Sequence, residues 1–241
     1  MKQVHLIPAL EDNYIFCLQN GAEAVIVDPG DARPVLRFLQ EQALTLSGIL
    51  ITHHHHDHID GVPDLLSEFP APVWIPAADQ GRFEFGGTPL QEGDVLSLAG
   101  FQFQIWELPG HTLDHIAYIE NSQKWIFSGD VLFGFGCGCL FEGTYEQAFT
   151  SLQRFRQLPP ETKIYCTHEY TMANLKFLAS LATTPLEEQK TKDLTKQMQT
   201  LLEQNGSTVP LHLKEQLEAN PFLKTTSVPN FQTLRIKRNN F

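Results

Sequence analysis

The chain is poor in cysteine, poor in positive charge and without a long apolar run. Its four cysteines, Cys17, Cys137, Cys139 and Cys166, make no CxxC pair. That excludes a disulfide scaffold and a cysteine-built zinc module, and reduced thiols in a reducing compartment are expected. Lys and Arg number 17 against 28 Asp and Glu, a formal net charge of −11. Such a surface disfavours a nucleic-acid backbone and an anionic membrane, so neither is an expected partner. An anionic ligand would need a local basic pocket. No run approaches the ~18–20 apolar residues that span a bilayer. Residues 1–8 lack a long apolar signal core, and a cytoplasmic protein is expected. Repeats and low-complexity linkers are absent too. At 42% hydrophobic and 19% charged, the 241 residues suit one large domain or one domain with an appendage.

Histidine, by contrast, is concentrated. Five of the ten fall in Thr52-His53-His54-His55-His56-Asp57-His58. Read by alternation, this is His-x-His-x-Asp-His: His53, His55, Asp57 and His58. Imidazole and carboxylate suit zinc, iron and manganese. The run follows Gly48-Ile49-Leu50-Ile51, which reads as a buried strand, so its ligands would stand on a rigid base. It is internal, unlike an expression tag, and its flanks are ordinary globular sequence.

Up to residue 170 the pattern is of short strands: 4–9, 14–18, 24–27, 49–52, 73–75, 95–98, 101–106, 116–119, 125–127 and 164–166. Helices are expected over 34–42, 60–68 and 145–157. Beyond Tyr170 strand signal fades. Helices are expected over 173–181, 186–204 and 210–219, with Leu194, Met198, Leu201 and Leu202 on one face. Residues 171–241 therefore read as a helical appendage on a strand-rich domain of residues 1–170.

Three more segments place a metal-type donor after a strand: His111 in Pro109-Gly110-His111-Thr112, Asp130 in Ser128-Gly129-Asp130, and His168 in Thr167-His168-Glu169. Singly these are ordinary loop residues; jointly they make seven donors with His53, His55, Asp57 and His58. One tetrahedral ion would leave several of them unpaired, which is costly. Two divalent ions sharing one carboxylate use all seven and leave room for water, as a catalytic site does.

In this order, THHHHDH, PGHT, SGD and THEY resemble the metallo-β-lactamase superfamily. Further matches resemble glyoxalase II, the hydroxyacylglutathione hydrolases, nearly end to end. They are Cys137-Gly138-x-x-Phe141-Glu142-Gly143-Thr144, Cys166-Thr167-His168-Glu169-Tyr170-Thr171, Asn174-Leu175-Lys176-Phe177, Asn220-Pro221-Phe222 and Arg235-x-x-Arg238. The resemblance implies an α+β fold, a four-layer αββα metallo-β-lactamase sandwich (1–170) with a C-terminal helical substrate-binding domain (171–241). It implies hydrolysis of S-D-lactoylglutathione to D-lactate and glutathione in methylglyoxal detoxification, with another thioester or a lactone as the alternative substrate. His53, His55 and His111 would bind one metal, Asp57, His58 and His168 the other, and Asp130 both. Zinc is the first choice, with iron and manganese as alternatives, and a monomer is expected. Asp57 would also serve catalysis by orienting the attacking hydroxide or carrying its proton.

For substrate binding, Arg235 and Arg238 match the basic pair that holds the glycine carboxylate of glutathione. Tyr170 matches a tyrosine whose hydroxyl reaches glutathione. Four positions depart from the pattern. Arg238 stands where Lys is expected, Cys139 where relatives have Lys or Arg, Phe141 where some have Tyr, and Asp114 where Gly is usual. Residues 134–138 read as a tight loop over the cleft, Cys166 as core, and His115 as a partner of a ligand or carboxylate. His54 and His56 are expected to point away from the metals. A lactamase and a persulfide dioxygenase are set aside on the strength of the helical tail with its basic pair.

Overall fold

The computed structural model describes residues 2–241. The chain opens on a hairpin in which β1 (Lys2–Ala9) and β2 (Asn13–Asn20) pair antiparallel, Lys2 against Asn20 and Ala9 against Asn13. β3 (Glu23–Val27) continues antiparallel. β4 (Thr45–Leu50), β5 (Val73–Pro76) and β6 (Thr88–Leu90) then add in parallel, giving a six-stranded sheet in sequential order. Parallel neighbours need crossovers. α1 (Ala32–Glu41) supplies the first; α2 (His56–Ile59) and α3 (Val62–Glu68) supply the second.

The second sheet is a meander of β7 (Val95–Leu98), β8 (Phe101–Glu107), β9 (Ile116–Glu120) and β10 (Trp125–Gly129). β11 (Leu132–Phe133) and β12 (Gly136–Cys137) form a separate small hairpin. After α4 (Tyr145–Arg154), β13 (Lys163–Cys166) joins β10 in parallel. α5 (Thr171–Ser180) and α6 (Pro185–Asn205) follow, and β14 (Leu211–His212) then pairs antiparallel with β13. α7 (Leu213–Ala219) and α8 (Val228–Asn239) complete the chain.

Alternation along the strands builds the layers. On β2, Tyr14, Phe16 and Leu18 enter the core between the sheets, against Phe103, Tyr118 and Phe127. Ile15 and Cys17 face the other way, onto Val35 and Leu39 of α1 and Val62 and Leu65 of α3. A strand buried on both faces reads as a continuous apolar run, as β2 does. Across the second sheet, Leu152 of α4 and Phe231 of α8 close the same core. The result is the expected αββα sandwich with helices appended.

The elements differ from expectation in places. The helix expected over 60–68 is preceded by α2, which winds the end of the histidine run into a turn of helix. The helix expected from 210 begins at Leu213, because Leu211 and His212 pair with β13. The appendage is thus stitched into the second sheet by a strand. β6, β11, β12, β14 and α8 have no counterpart among the sequence expectations.

Candidate metal centre

The seven donors sit just beyond strand ends, on one edge of the sandwich. The histidine run follows β4, His111 follows β8, Asp130 follows β10 and His168 follows β13. His53 and His58 are fully buried, and His111, Asp130 and His168 nearly so. His55 and Asp57 are half-buried and form the open side.

All seven converge. His55 Nδ1 lies 3.1 Å from His53 Nε2 and 3.0 Å from His111 Nε2. His168 Nε2 and His58 Nε2 lie 3.3 and 3.5 Å from Asp57 Oδ2. Asp130 stands between these two groups. Its Oδ2 is 3.3 Å from His111 Nε2 and 3.4 Å from His168 Nε2, while its Oδ1 is 3.5 Å from His58 Nε2.

The outer faces of the rings explain this order. Thr52 Oγ1 donates to Asp28 Oδ2 at 2.7 Å, so its lone pair is left to accept from His53 Nδ1 at 3.0 Å. His58 Nδ1 donates to Asp28 Oδ2 at 3.0 Å, His111 Nδ1 to the Cys139 carbonyl at 2.8 Å, and His168 Nδ1 to Asp12 Oδ1 at 2.7 Å. Each outward N–H fixes the tautomer and leaves the Nε2 lone pair facing inward. Asn13 Nδ2 fixes Asp57 Oδ2 in the same way at 2.9 Å. Asp12, Asn13 and Asp28 were not among the sequence candidates.

These donors fit divalent cations. Inward lone pairs about 3 Å apart repel unless something positive lies among them. Buried His58 Nε2 and Asp130 Oδ1 have no hydrogen-bond partner among the described residues, and such atoms ask for a ligand. Electrostatics agree. Burial pushes the His58 and His168 imidazoles down, yet Asp130, with Asp28 at His58 and Asp57 and Asp12 at His168, outweighs it. They rise to about 10 and about 11. Burial likewise pushes Asp130 and Asp57 up, and the same two histidines outweigh it and hold both carboxyls well below their usual range. The pocket thus holds positive charge even where only protons supply it. His55, with burial and neighbouring imidazoles against it, falls to about 4. The chain carries a divalent-metal site.

The remaining candidates line the rim. Tyr170 stacks on His168 with ring centroids 4.8 Å apart. Phe141 is 69% exposed, with its ring edge-on to His55 and His111. Cys139 is exposed, and its carbonyl anchors His111. Gly138 has to be glycine, because a Cβ there would collide with the Asp130 carbonyl. Arg235 and Arg238 both project from α8. Arg235 is only 3% exposed, with Nη1 donating to the Cys137 carbonyl at 2.8 Å and Nε to Asn239 at 2.9 Å. Arg238 is more open, its Nε held by Asn174 Oδ1 at 3.1 Å. Residues 134–137 are the turn and second strand of the β11–β12 hairpin, Gly138 follows it, and Cys166 is buried. His115 Nε2 accepts from the Asp130 backbone N–H at 3.1 Å. His56 is exposed and pairs with Asp60. No helix among the described residues is long and apolar enough to cross a membrane.

Comparison with known proteins accords with this geometry. Residues 11–168 match the profile of the metallo-beta-lactamase superfamily, and residues 169–241 that of the hydroxyacylglutathione hydrolase C-terminus. A Bdellovibrio bacteriovorus protein named hydroxyacylglutathione hydrolase is 46% identical over 245 residues, covering 99% of this chain and 98% of its own. Among solved structures, ETHE1 from Myxococcus xanthus is 25% identical with a TM-score of 0.72, over 98% of this chain and 90% of its own. TTHA1623, solved in a di-iron-bound form, is 28% identical with a TM-score of 0.57, over 67% of this chain and 90% of its own. Since ETHE1 aligns with nearly the whole chain, the extra C-terminal length does not separate the two.

Proposed function

Because this chain belongs to the hydroxyacylglutathione hydrolases of the metallo-β-lactamase superfamily, we propose that it hydrolyses S-D-lactoylglutathione to D-lactate and glutathione in methylglyoxal detoxification. It is a metal-dependent thioester hydrolase. The observation that carries this reading is the convergence of seven donors whose outer faces are already pinned. The alternative of another thioester or a lactone is not favoured, given the full-length relative and the C-terminal match.

His53, His55 and His111 would hold one cation and Asp57, His58 and His168 a second, with Asp130 between them. Two cations are supported by the position of Asp130, within 3.5 Å of nitrogens from both groups. Zinc suits the donors best, and iron and manganese suit them as well. Bound there, the ions supply Lewis acidity and make a water acidic enough to ionise near neutral pH. Asp57, on the open side and fixed by Asn13, would orient that water or carry its proton. Water oxygen adds to the thioester carbon and the C–S bond breaks. One water proton ends on the glutathione sulfur and the other goes to solvent as lactate leaves ionised.

Residues 1–170 carry this chemistry, and residues 171–241 supply the cations that hold the substrate, with Tyr170, Phe141 and Cys139 at the rim beside them. Arg238 is the more available cation for the glycine carboxylate of glutathione, with Arg235 offering Nη2. Tyr170 presents its hydroxyl to the tripeptide from its stack on His168. Phe141 supplies an apolar edge beside the reacting group, and Cys139 brings a neutral thiol to a position where a cation would pair with carboxylate.

The test is hydrolysis of S-D-lactoylglutathione by purified protein alongside elemental analysis. Two metal equivalents per chain are expected, with activity lost to a chelator and restored by zinc. Activity that survives complete metal removal would sink the mechanism.

A further inference from the structure

We propose that His54 and Asp114, closed by Asp79 and Glu142, form a positioning clamp for the three-histidine half of the metal centre. This rests on the metal-dependent reading above. Among the described residues, four groups of side chains lie close enough to share a cation; three make up the centre, and the fourth is His54, Asp79 and Asp114. The fourth differs in one physical respect. In the centre, buried His58 Nε2 and Asp130 Oδ1 lack partners, whereas no atom of the fourth group does.

The contacts of that group are complete. His54 Nδ1 lies 3.1 Å from both oxygens of Asp114 and 3.2 Å from Asp79 Oδ2. Asp79 Oδ1 pairs with Arg82 at 3.1 Å. His54 Nε2 lies 3.3 Å from Glu142 Oε1, and Glu142 Oε2 accepts from the Leu113 backbone N–H at 2.9 Å. A cluster satisfied by its own hydrogen bonds and ion pairs holds geometry and does not need an ion. Buried Asp114 costs stability unless it is paired, and His54 is its side-chain partner.

What the clamp grips decides its role. His54 is the residue between His53 and His55. Asp114 lies in the turn that carries His111. Glu142 follows Phe141, whose ring lies against His55 and His111, and the backbone N–H groups of both Phe141 and Glu142 donate to the His111 carbonyl. Every segment that supplies the three-histidine half is therefore joined through one imidazole. Asp57, His58 and His168 take their anchors elsewhere, from Asn13, Asp28 and Asp12.

The test uses the full chain with Asp114→Asn and Asp114→Ala. Asparagine keeps the shape and one acceptor, so the alanine change is expected to do more. Cobalt(II) is titrated against a competing chromophoric chelator while the visible spectrum is recorded, and the melting temperature is taken on the metal-free proteins. Wild type is expected to bind two equivalents. In the variants one equivalent should weaken about 10–100-fold, the usual effect of losing an outer partner of a metal ligand. The other equivalent should hold, the cobalt spectrum should change, and kcat should fall with KM nearly constant. Unchanged affinities and spectrum, even with a lower melting temperature, would overturn the clamp and leave only packing. A third equivalent in wild type that the variants lose would overturn it in favour of a cation site. Wild type that binds no metal would overturn the metal reading itself. If Asp114→Ala does not fold, the asparagine variant decides.

Discussion

At the scale of single residues, the centre is specified as much by what lies behind the donors as by the donors themselves. Asp28 accepts from His58 Nδ1, from the Thr52 hydroxyl and from the Thr52 backbone N–H at 2.8 Å. Asp28→Asn should weaken both metal equivalents, about 10–100-fold, because Asp28 holds His58 directly and His53 through Thr52; competitive metal titration would detect it, and unaltered affinity would mean that the rings are held by packing alone. The two arginines are also unlike. Arg238→Ala should raise KM for lactoylglutathione and leave a small uncharged thioester unaffected. Arg235→Ala should in addition cost about 2–3 kcal/mol of stability, because a buried guanidinium donates to Cys137 and Asn239. Denaturant unfolding and KM, measured on both variants, separate these roles. The seven donors could be read from sequence because each follows a strand and carries metal-type chemistry. Asp28 also follows a strand, β3, but Asp28-Pro29-Gly30 reads as a turn, and nothing local marks Asp12 or Asn13 as partners of residues dozens of positions away.

At the scale of elements, the β11–β12 hairpin joins the part of the molecule that gathers the seven donors to the C-terminal helices. Its last residue, Cys137, is gripped by Arg235 of α8, while two residues later the Cys139 carbonyl grips His111. Gly138 lies between them against Asp130. Gly138→Ala should therefore push on Asp130, the residue that stands between both groups of donors. Metal content is expected to drop with secondary structure kept, and circular dichroism with elemental analysis would show it; full occupancy would mean the strand simply shifts. The hairpin, β14 and α8 were the elements least legible in the sequence. Two-residue strands have no periodicity to read, and β14 exists because β13 offers an edge. α8 hid behind Arg235-Ile236-Lys237-Arg238, where charge at three of four positions looks like a solvated tail although Arg235 is buried. The long elements were legible for the opposite reason. α6 has Pro185 at its start and a reciprocal cap between Thr184 and Glu187, and β8 alternates buried Phe101, Phe103 and Ile105 with polar residues.

At the scale of the whole molecule, metal and folding are linked, and the sign of the link depends on pH. In the metal-free chain, His58 rises to about 10 and His168 to about 11. Both values lie above the ordinary histidine value of about 6.5. A group raised on folding contributes stability that is complete below its unfolded value and is lost as pH climbs toward the folded value. Between about pH 7 and 9 the metal-free protein should therefore lose stability. The lowered histidines do not intervene, since His53, His55, His111 and His115 are neutral in both states over that range. Buried Cys17, Cys137 and Cys166, all pushed up by burial, add to this loss from about pH 8 upward, in the metal-free and the metal-loaded protein alike. Metal binding runs the other way, because a cation must displace the protons from His58 and His168, and its affinity rises as they become easier to remove. Metal at a hundred times its dissociation constant adds about 2.7 kcal/mol per site. The difference in melting temperature between metal-loaded and chelator-treated protein should accordingly widen from pH 7 to pH 9. Scanning calorimetry of both forms at matched ionic strength measures it directly. A difference that stays constant or narrows would mean that protons do not stand where the cations bind.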